Sequence, residues 1–147
     1  MLPALRRTVV RLCQSRRAEE AVRALAQVRR LYNVDGAAPE ERIAYWRLLG
    51  HSLAQSGHLR RSAAAFRHML RLMEWHDITP SPDDWGPLAA LYRSLWRQTG
   101  RSYYYRHYLH FTCEATDAAQ IALASAALER SARPAACAPG DGGSHGL

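Results

Sequence analysis

The chain has 147 residues, a hydrophobic fraction of 48% and a net charge of +7. This length suits one domain with its own core, and no apolar run approaches the roughly 20 residues that a membrane-spanning helix needs. The three cysteines lie far apart without a CxxC pair, which favours reduced thiols and a cytoplasmic protein over a disulfide framework. The N-terminus lacks the apolar segment and cleavage site of a secretory signal, so we expect no export.

Most of the positive charge lies in residues 1–34, where eight Arg stand against two Glu, a net charge of +6. The spacing of apolar residues predicts a helix over about 3–14 and a second helix after Ala18. A solvated helix face is the simplest explanation of the Arg residues, and attraction to nucleic acid or to an acidic partner is the alternative. The second helix is predicted to turn four residues inward: Ala21, Leu25, Val28 and Tyr32.

The clearest pattern runs from Trp46 to Met69 and has the spacing of a tetratricopeptide repeat, in which two antiparallel helices pack closely. The first glycine of the pattern permits close approach of the helices, and the second makes the turn between them. This spacing predicts helices over about 40–56 and 59–73. The residues that carry it are Trp46, Leu49, Gly50, Leu53, Gly57 and Phe66.

A third pair of helices is predicted over about 84–98 and 102–115. Ser81 is a suitable N-cap, because Pro and Asp follow it in the first turn. Pro87 would lose a helical hydrogen bond, so we expect the main part of the first helix to restart at Gly86 or Pro87.

A last helix is predicted to begin at Thr116 or Asp117 and to cover the end of the stack with small apolar residues. We therefore predict an all-α fold in a single domain over residues 1–133, a tetratricopeptide-like stack of three antiparallel helical hairpins with a C-terminal capping helix. Residues 134–147 are rich in Pro, Gly and Ala, and we expect a disordered tail. The inward side of the capping helix would consist of Ile121, Ala124 and Leu128.

Residues 41–95 resemble the bacterial transcriptional activator domain found in antibiotic regulatory proteins. The W-x2-L-G…G…F hairpin is followed by a PSP connector at Ile78 to Pro82 and by an L-x2-L-Y helix from Leu88 to Leu95. In that family the module mediates self-association and contacts with other proteins and does not itself read DNA. Two departures are the absence of a preceding winged-helix sequence and the insertion Trp85-Gly86-Pro87. The resemblance implies an adaptor or regulatory subunit linked to transcription regulation.

No segment has the spacing of a catalytic site, because a nucleophile motif, a Gly-rich phosphate loop and an HExxH sequence are all missing. His107, His110 and Cys113 recur at intervals of three residues, but a helix spreads them around its axis and no fourth ligand is evident. We therefore expect a protein that is not an enzyme and that has no cofactor or metal.

Two surfaces are candidates for partner binding. In a stack of hairpins, the first helix of each hairpin lines a concave groove. In the second surface, Tyr103, Tyr105 and Arg106 point away from the core, and such a Tyr–Arg cluster suits a protein hot spot or single-stranded nucleic acid. The residues predicted to face the groove are Arg7, Arg11, Arg47, His51, Gln55 and Arg97.

These surfaces predict a protein–protein interaction module that binds an acidic peptide or helix, with self-association as a further expectation. A protein partner is favoured over nucleic acid for the Tyr–Arg cluster, and no membrane partner is expected. One alternative is a nucleic-acid-associated protein that uses the basic N-terminal helices and this cluster. A chaperone-like repeat protein for a secreted substrate is the other, although it would need an apolar groove, and the Arg residues argue against that.

Overall fold

A computed structural model describes residues 2–132, which are almost entirely helical and contain no strand. This confirms the predicted all-α class. The expected tail at 134–147 lies outside the described residues. The elements are α1 (Leu2–Gln14), α2 (Ala18–Leu31), a 3-10 turn (Val34–Gly36), α3 (Pro39–Gln55), α4 (Leu59–Trp75), α5 (Pro82–Thr99) and α6 (Ser102–Ala132).

Each helix packs against the next one along the chain, most extensively α5 against α6 and α3 against α4, and α1 also contacts α3. Two of the connectors contain a glycine in the left-handed region, where residues with a side chain are strained. Gly57 has φ +84° and Gly100 has φ +67°. The turns that the sequence predicts at these glycines are therefore confirmed.

Gly50 lies where α3 and α4 approach most closely. A Cβ atom at this position would lie 2.8 Å from the Phe66 ring, and the Ser62 hydroxyl donates a 2.7 Å hydrogen bond to the Gly50 carbonyl. Only a residue without a side chain leaves room for this contact, as the repeat pattern predicts. Ser62 is fully buried, and the hydrogen bond satisfies its hydroxyl.

Two of the buried clusters are separate parts of the core. The larger joins α3, α4, α5 and α6 around Phe66, Met69, Leu88 and Tyr92. The smaller joins α1, α2 and α3 and includes Tyr45, whose hydroxyl donates a 2.9 Å hydrogen bond to the backbone carbonyl of Leu25. The repeat pattern does not mark Tyr45, although its side chain is only 2% exposed.

Tyr32 was predicted on the inward stripe of α2, and this is wrong. The helix ends at Leu31, and Tyr32 is extended, with φ −121° and ψ 141°. Its side chain is 52% exposed, and Val34 from the following turn is buried instead. The stripe stops one residue early because the backbone leaves the helical conformation.

The predicted restart of α5 is also wrong, because the helix begins at Pro82 and continues through Pro87. The Ser81 hydroxyl accepts a hydrogen bond from the first turn, and the Asp84 carboxylate accepts the N–H of Ser81. This capping box and the burial of Leu88 hold the first turns in place, so the helix tolerates the one hydrogen bond that Pro87 removes.

The separate capping helix is a third prediction that the structure corrects. α6 runs without a break from Ser102 to Ala132. Thr116 does not cap a new helix, because its hydroxyl donates to the carbonyl of Thr112 one turn earlier, as in a helix interior. Ile121 and Leu128 are 67% and 70% exposed, so this segment covers no core within residues 2–132.

Candidate protein-binding groove

A groove of about 1150 Å³ runs across α1, α3 and the beginning of α5. We call it the α1–α3–α5 groove. It contains five of the nine residues predicted to bind a partner, contributed by two helices. These five are Arg7, Arg11, Arg47, His51 and Gln55.

The α1 side of this groove is strongly basic because of how α1 packs. Val9 is 2% exposed, packs in the smaller core and borders the groove, and the neighbouring face of the helix, centred on Val10, lines the groove. Arg7 and Arg11 are four residues apart and share that face, and Arg6 also lines the groove. Among residues 2–132, none of these three side chains forms an ion pair.

Apolar side chains lie between the charged edges of the groove. Val10 of α1 is 39% exposed, and Ala44 and Leu48 of α3 are half-buried beside it. The groove can therefore remove apolar surface of a ligand from water as well as attract charge. This apolar strip was not predicted, because all the residues predicted to face the groove are polar.

Arg47 lines the groove, but its guanidinium is held by an internal ion pair. Its Nε lies 2.7 Å from Asp84 Oδ1 and its Nη2 lies 3.0 Å from Asp84 Oδ2. Asp84 is 5% exposed and also accepts the backbone N–H of Ser81 at 3.0 Å. The pair ties α3 to the first turn of α5, so Arg47 shapes the groove and adds little net charge to it.

His51 lies in the middle of the groove wall, with its ring edge-on to Phe66 at 5.2 Å between centroids. Burial lowers the pKa of His51 below its usual 6.5, an effect that Asp84 opposes and Arg47 reinforces. The ring is therefore neutral at pH 7 and can either donate or accept a hydrogen bond. Gln55, one turn further along α3, is exposed and adds an uncharged amide.

The other predicted site residues lie outside the lining of the groove. Arg97 is exposed near the end of α5. Tyr103 and Tyr105 are 43% and 38% exposed, and Arg106 beside them is exposed as well. Tyr105 packs against Trp96 of α5 at 4.6 Å between ring centroids, which gives the Tyr–Arg cluster an additional aromatic group that the sequence reading did not nominate.

Residues 2–132 contain neither a cluster of metal-binding side chains nor a membrane-spanning helix. In that range, no three or more His, Cys, Asp or Glu side chains come together in a way that could hold a metal ion. The His107 ring packs against Tyr92, Tyr103 and Phe111. No helix of the described range has the length and apolarity needed to cross a membrane.

Comparisons with protein-family models, with curated proteins and with solved structures found no match to this chain. The geometry of the groove is therefore the main evidence on function.

Proposed function

We propose that this chain is a non-catalytic protein–protein interaction module that binds an acidic amphipathic segment in the α1–α3–α5 groove. The observation that carries the proposal is the combination of an apolar strip at Val10 and Leu48 with the cations of Arg7 and Arg11, which form no ion pair among residues 2–132. An apolar centre with charged edges is the usual arrangement of protein-binding surfaces, and the charges add to the rate and selectivity of encounter.

A helix is the ligand form that fits this groove best. Helix-in-groove recognition places an apolar face between two receptor helices and reads residues three and four apart. α1 and α3 supply two such helices, and the first turn of α5 closes one end through Ser81, Asp83 and Asp84. Carboxylates on the α1 side of the ligand would meet Arg7 and Arg11, and Asp83 disfavours carboxylates on the α5 side.

The fold proposed for this function is a tetratricopeptide-like stack of three helical hairpins, in which the first helices line the concave surface. It is supported by the repeat spacing from Trp46 to Met69, by the close contact at Gly50 and by the pairwise packing of the helices. The resemblance of residues 41–95 to the bacterial transcriptional activator domain suggests an adaptor or regulatory subunit in transcription regulation as the wider role.

Binding to a set of fluorescent helical peptides tests the proposal. The peptides share an apolar stripe and differ only in carrying Glu or Lys beside it. We expect the Glu peptide to bind more tightly, and we expect the double substitution Arg7→Glu and Arg11→Glu to abolish this preference. The matched control is Arg60→Glu with Arg67→Glu, which changes the net charge equally at exposed positions of α4 outside the groove. Equal binding of the two peptides by the wild type would refute the proposal.

Nucleic acid binding is the second candidate, and the exposed Tyr–Arg cluster beside Trp96 favours it. Tyr rings can stack on bases while Arg meets phosphate. Single-stranded oligonucleotides therefore serve as competitors in the peptide assay. Binding that falls steeply with added salt and is lost in Tyr103→Ala with Tyr105→Ala would support this candidate, whereas oligonucleotides that neither bind nor compete would reject it.

A further inference from the structure

The C-terminal half of α6 has no partner within the described part of the chain. Residues 119–131 are all exposed, and the 15 residues from 118 to 132 extend over about 22 Å at 1.5 Å per residue. A helix of this length is marginal on its own in water even when it is rich in alanine. A surface that buries one of its faces would stabilise it.

One face of this segment carries an apolar stripe with acidic borders. Ile121 and Leu128 are seven residues apart, so they lie within about 20° of each other around the helix. Asp117 and Glu129 flank the stripe at about 40° and 80° from Ile121. Leu123 lies on the opposite face, about 160° away, although it is as exposed, at 68%, as Ile121 at 67% and Leu128 at 70%.

The α1–α3–α5 groove carries the opposite net charge. Its apolar strip includes Val10 and Leu48, and Arg7 and Arg11 border the strip on the α1 side. Because Arg47 and Asp84 neutralise each other, the remaining charged groups of the lining are three Arg of α1 and one Asp of α5, a net charge of 3 − 1 = +2. The acidic face of α6 would meet this basic groove.

α6 cannot reach the groove of its own chain. It is one unbroken helix from Ser102 to Ala132, whose first half packs against α5, and none of its residues lines the groove. Within residues 2–132 of a single copy both surfaces are therefore uncovered, whereas two copies can cover both.

We infer that the C-terminal half of α6 lies in the α1–α3–α5 groove of a second copy of this chain, with Ile121 and Leu128 against Val10 and Leu48. The carboxylates of Asp117 and Glu129 border this contact on the α6 side. The inference rests on the proposed function, since it names a ligand for the same groove. Reciprocal exchange closes a dimer, and exchange in one direction builds an open chain. The self-bound groove is then unavailable to other acidic helices, so self-association competes with partner binding.

The first test is the molar mass in solution, measured by sedimentation velocity over a range of concentrations. The wild type is expected to rise above the 16.6 kDa of one chain as concentration increases. The double variant Ile121→Ser with Leu128→Ser is expected to stay monomeric, and the matched control Leu123→Ser is expected to associate like the wild type. All three side chains are exposed, so the variants keep the core. A monomeric wild type at every concentration, or an equal effect of Leu123→Ser, overturns the inference.

A charge exchange identifies the two surfaces. Arg7→Glu with Arg11→Glu reverses the groove, and Asp117→Arg with Glu129→Arg reverses the α6 face, so each variant alone is expected to lose self-association. An equimolar mixture is expected to form heteromers, because each reversed surface then meets a reversed partner. Heteromers that fail to form while both variants remain folded overturn the inference.

Binding of the Glu-bearing helical peptide distinguishes a failure of this inference from a failure of the proposed function. The α6-reversed variant keeps an intact groove, so it is expected to bind the peptide at least as tightly as the wild type does. Peptide binding in a protein that never self-associates removes the second copy as the ligand and leaves the groove function standing. If the groove-reversed variant still self-associates and no variant binds the peptide, both this inference and the proposed function are overturned.

Discussion

Replacing Arg47 with methionine removes one partner of the ion pair that joins α3 to the first turn of α5. Methionine keeps much of the length and the apolar stem of arginine but none of its donors. The Asp84 carboxylate loses contacts at 2.7 Å and 3.0 Å and keeps only the N–H of Ser81. Because Asp84 is 5% exposed, water replaces the lost donors poorly.

The size of the effect follows from the burial of the two partners. Removing one partner of a fully buried ion pair costs about 3–5 kcal/mol, and a hydrogen bond to a charged group contributes about 1.5–3 kcal/mol. The Arg47 side chain is 32% exposed, so water screens the pair in part and the lower range applies. We expect a loss of about 2 kcal/mol in the free energy of unfolding, or about 8 °C in Tm for a domain of this size.

Urea unfolding at pH 7 followed by circular dichroism measures this loss. The matched control is Arg97→Met, at an exposed arginine that forms no ion pair within residues 2–132, and it is expected to change stability by less than about 0.5 kcal/mol. Combining Arg47→Met with Asp84→Asn should cost less than the sum of the single changes, because the two residues interact. Equal stability of Arg47→Met and Arg97→Met would refute the assignment of the pair as a structural tie.

Three further predictions concern α3. Gly50→Ala places a Cβ 2.8 Å from the Phe66 ring and should destabilise by about 1–3 kcal/mol, measured by urea unfolding. Burial lowers the pKa of His51 in the folded state, so the unfolded state binds more protons and stability falls as pH drops below about 6.5. His51→Gln should weaken that dependence in unfolding curves recorded from pH 8 to pH 5. Tyr45→Phe should lose about 1 kcal/mol, measured by thermal unfolding, because the donor to an α2 carbonyl disappears.

The helices were predictable because their signals are local. A glycine at a positive φ ends α3, as it ends α5, and the capping box at Ser81 begins α5. The close approach at Gly50 also followed from the spacing of Gly50 and Phe66, because only a residue without a side chain fits there. The helix ends are set by residues that are near each other along the chain, whereas the Gly50–Phe66 contact joins two helices and follows from the spacing of the repeat pattern.

The errors arise where a signal that would end or start a helix is outweighed by the helix on either side of it. Pro87 breaks a helix in isolation, but the capping box and the buried Leu88 hold α5 together. Thr116 is a good N-cap by type, yet no Gly or Pro separates it from the preceding helix, so its hydroxyl bonds back to Thr112 and α6 continues. In both cases the signal that would interrupt the helix is worth about one hydrogen bond in free energy. The helical turns on both sides contribute more, so the helix continues.

The sequence predicted several residues that line the groove, but it did not predict which of their charges are neutralised by an internal ion pair. Arg7, Arg11 and Arg47 were predicted to face a groove and all line the α1–α3–α5 groove, because helical spacing fixes which face a residue occupies. Which of these arginines has an internal partner depends on Asp84, 37 residues away along the chain from Arg47. No periodicity in the sequence encodes that contact, so the three arginines look equivalent until the structure separates them.

α3 connects the stability of the fold to the shape of the groove. One of its faces buries Tyr45 in the smaller core and another packs Gly50 against Phe66, while Leu48 and His51 face the groove. Because the same turns of helix meet all three surroundings, the groove residues are positioned by the core itself. A ligand in the groove therefore meets a preformed surface, and preorganisation of this kind lowers the entropic cost of binding. It follows that substitutions in the groove are informative about binding only at positions such as Arg7 and Arg11, whose side chains take no part in holding the helices together.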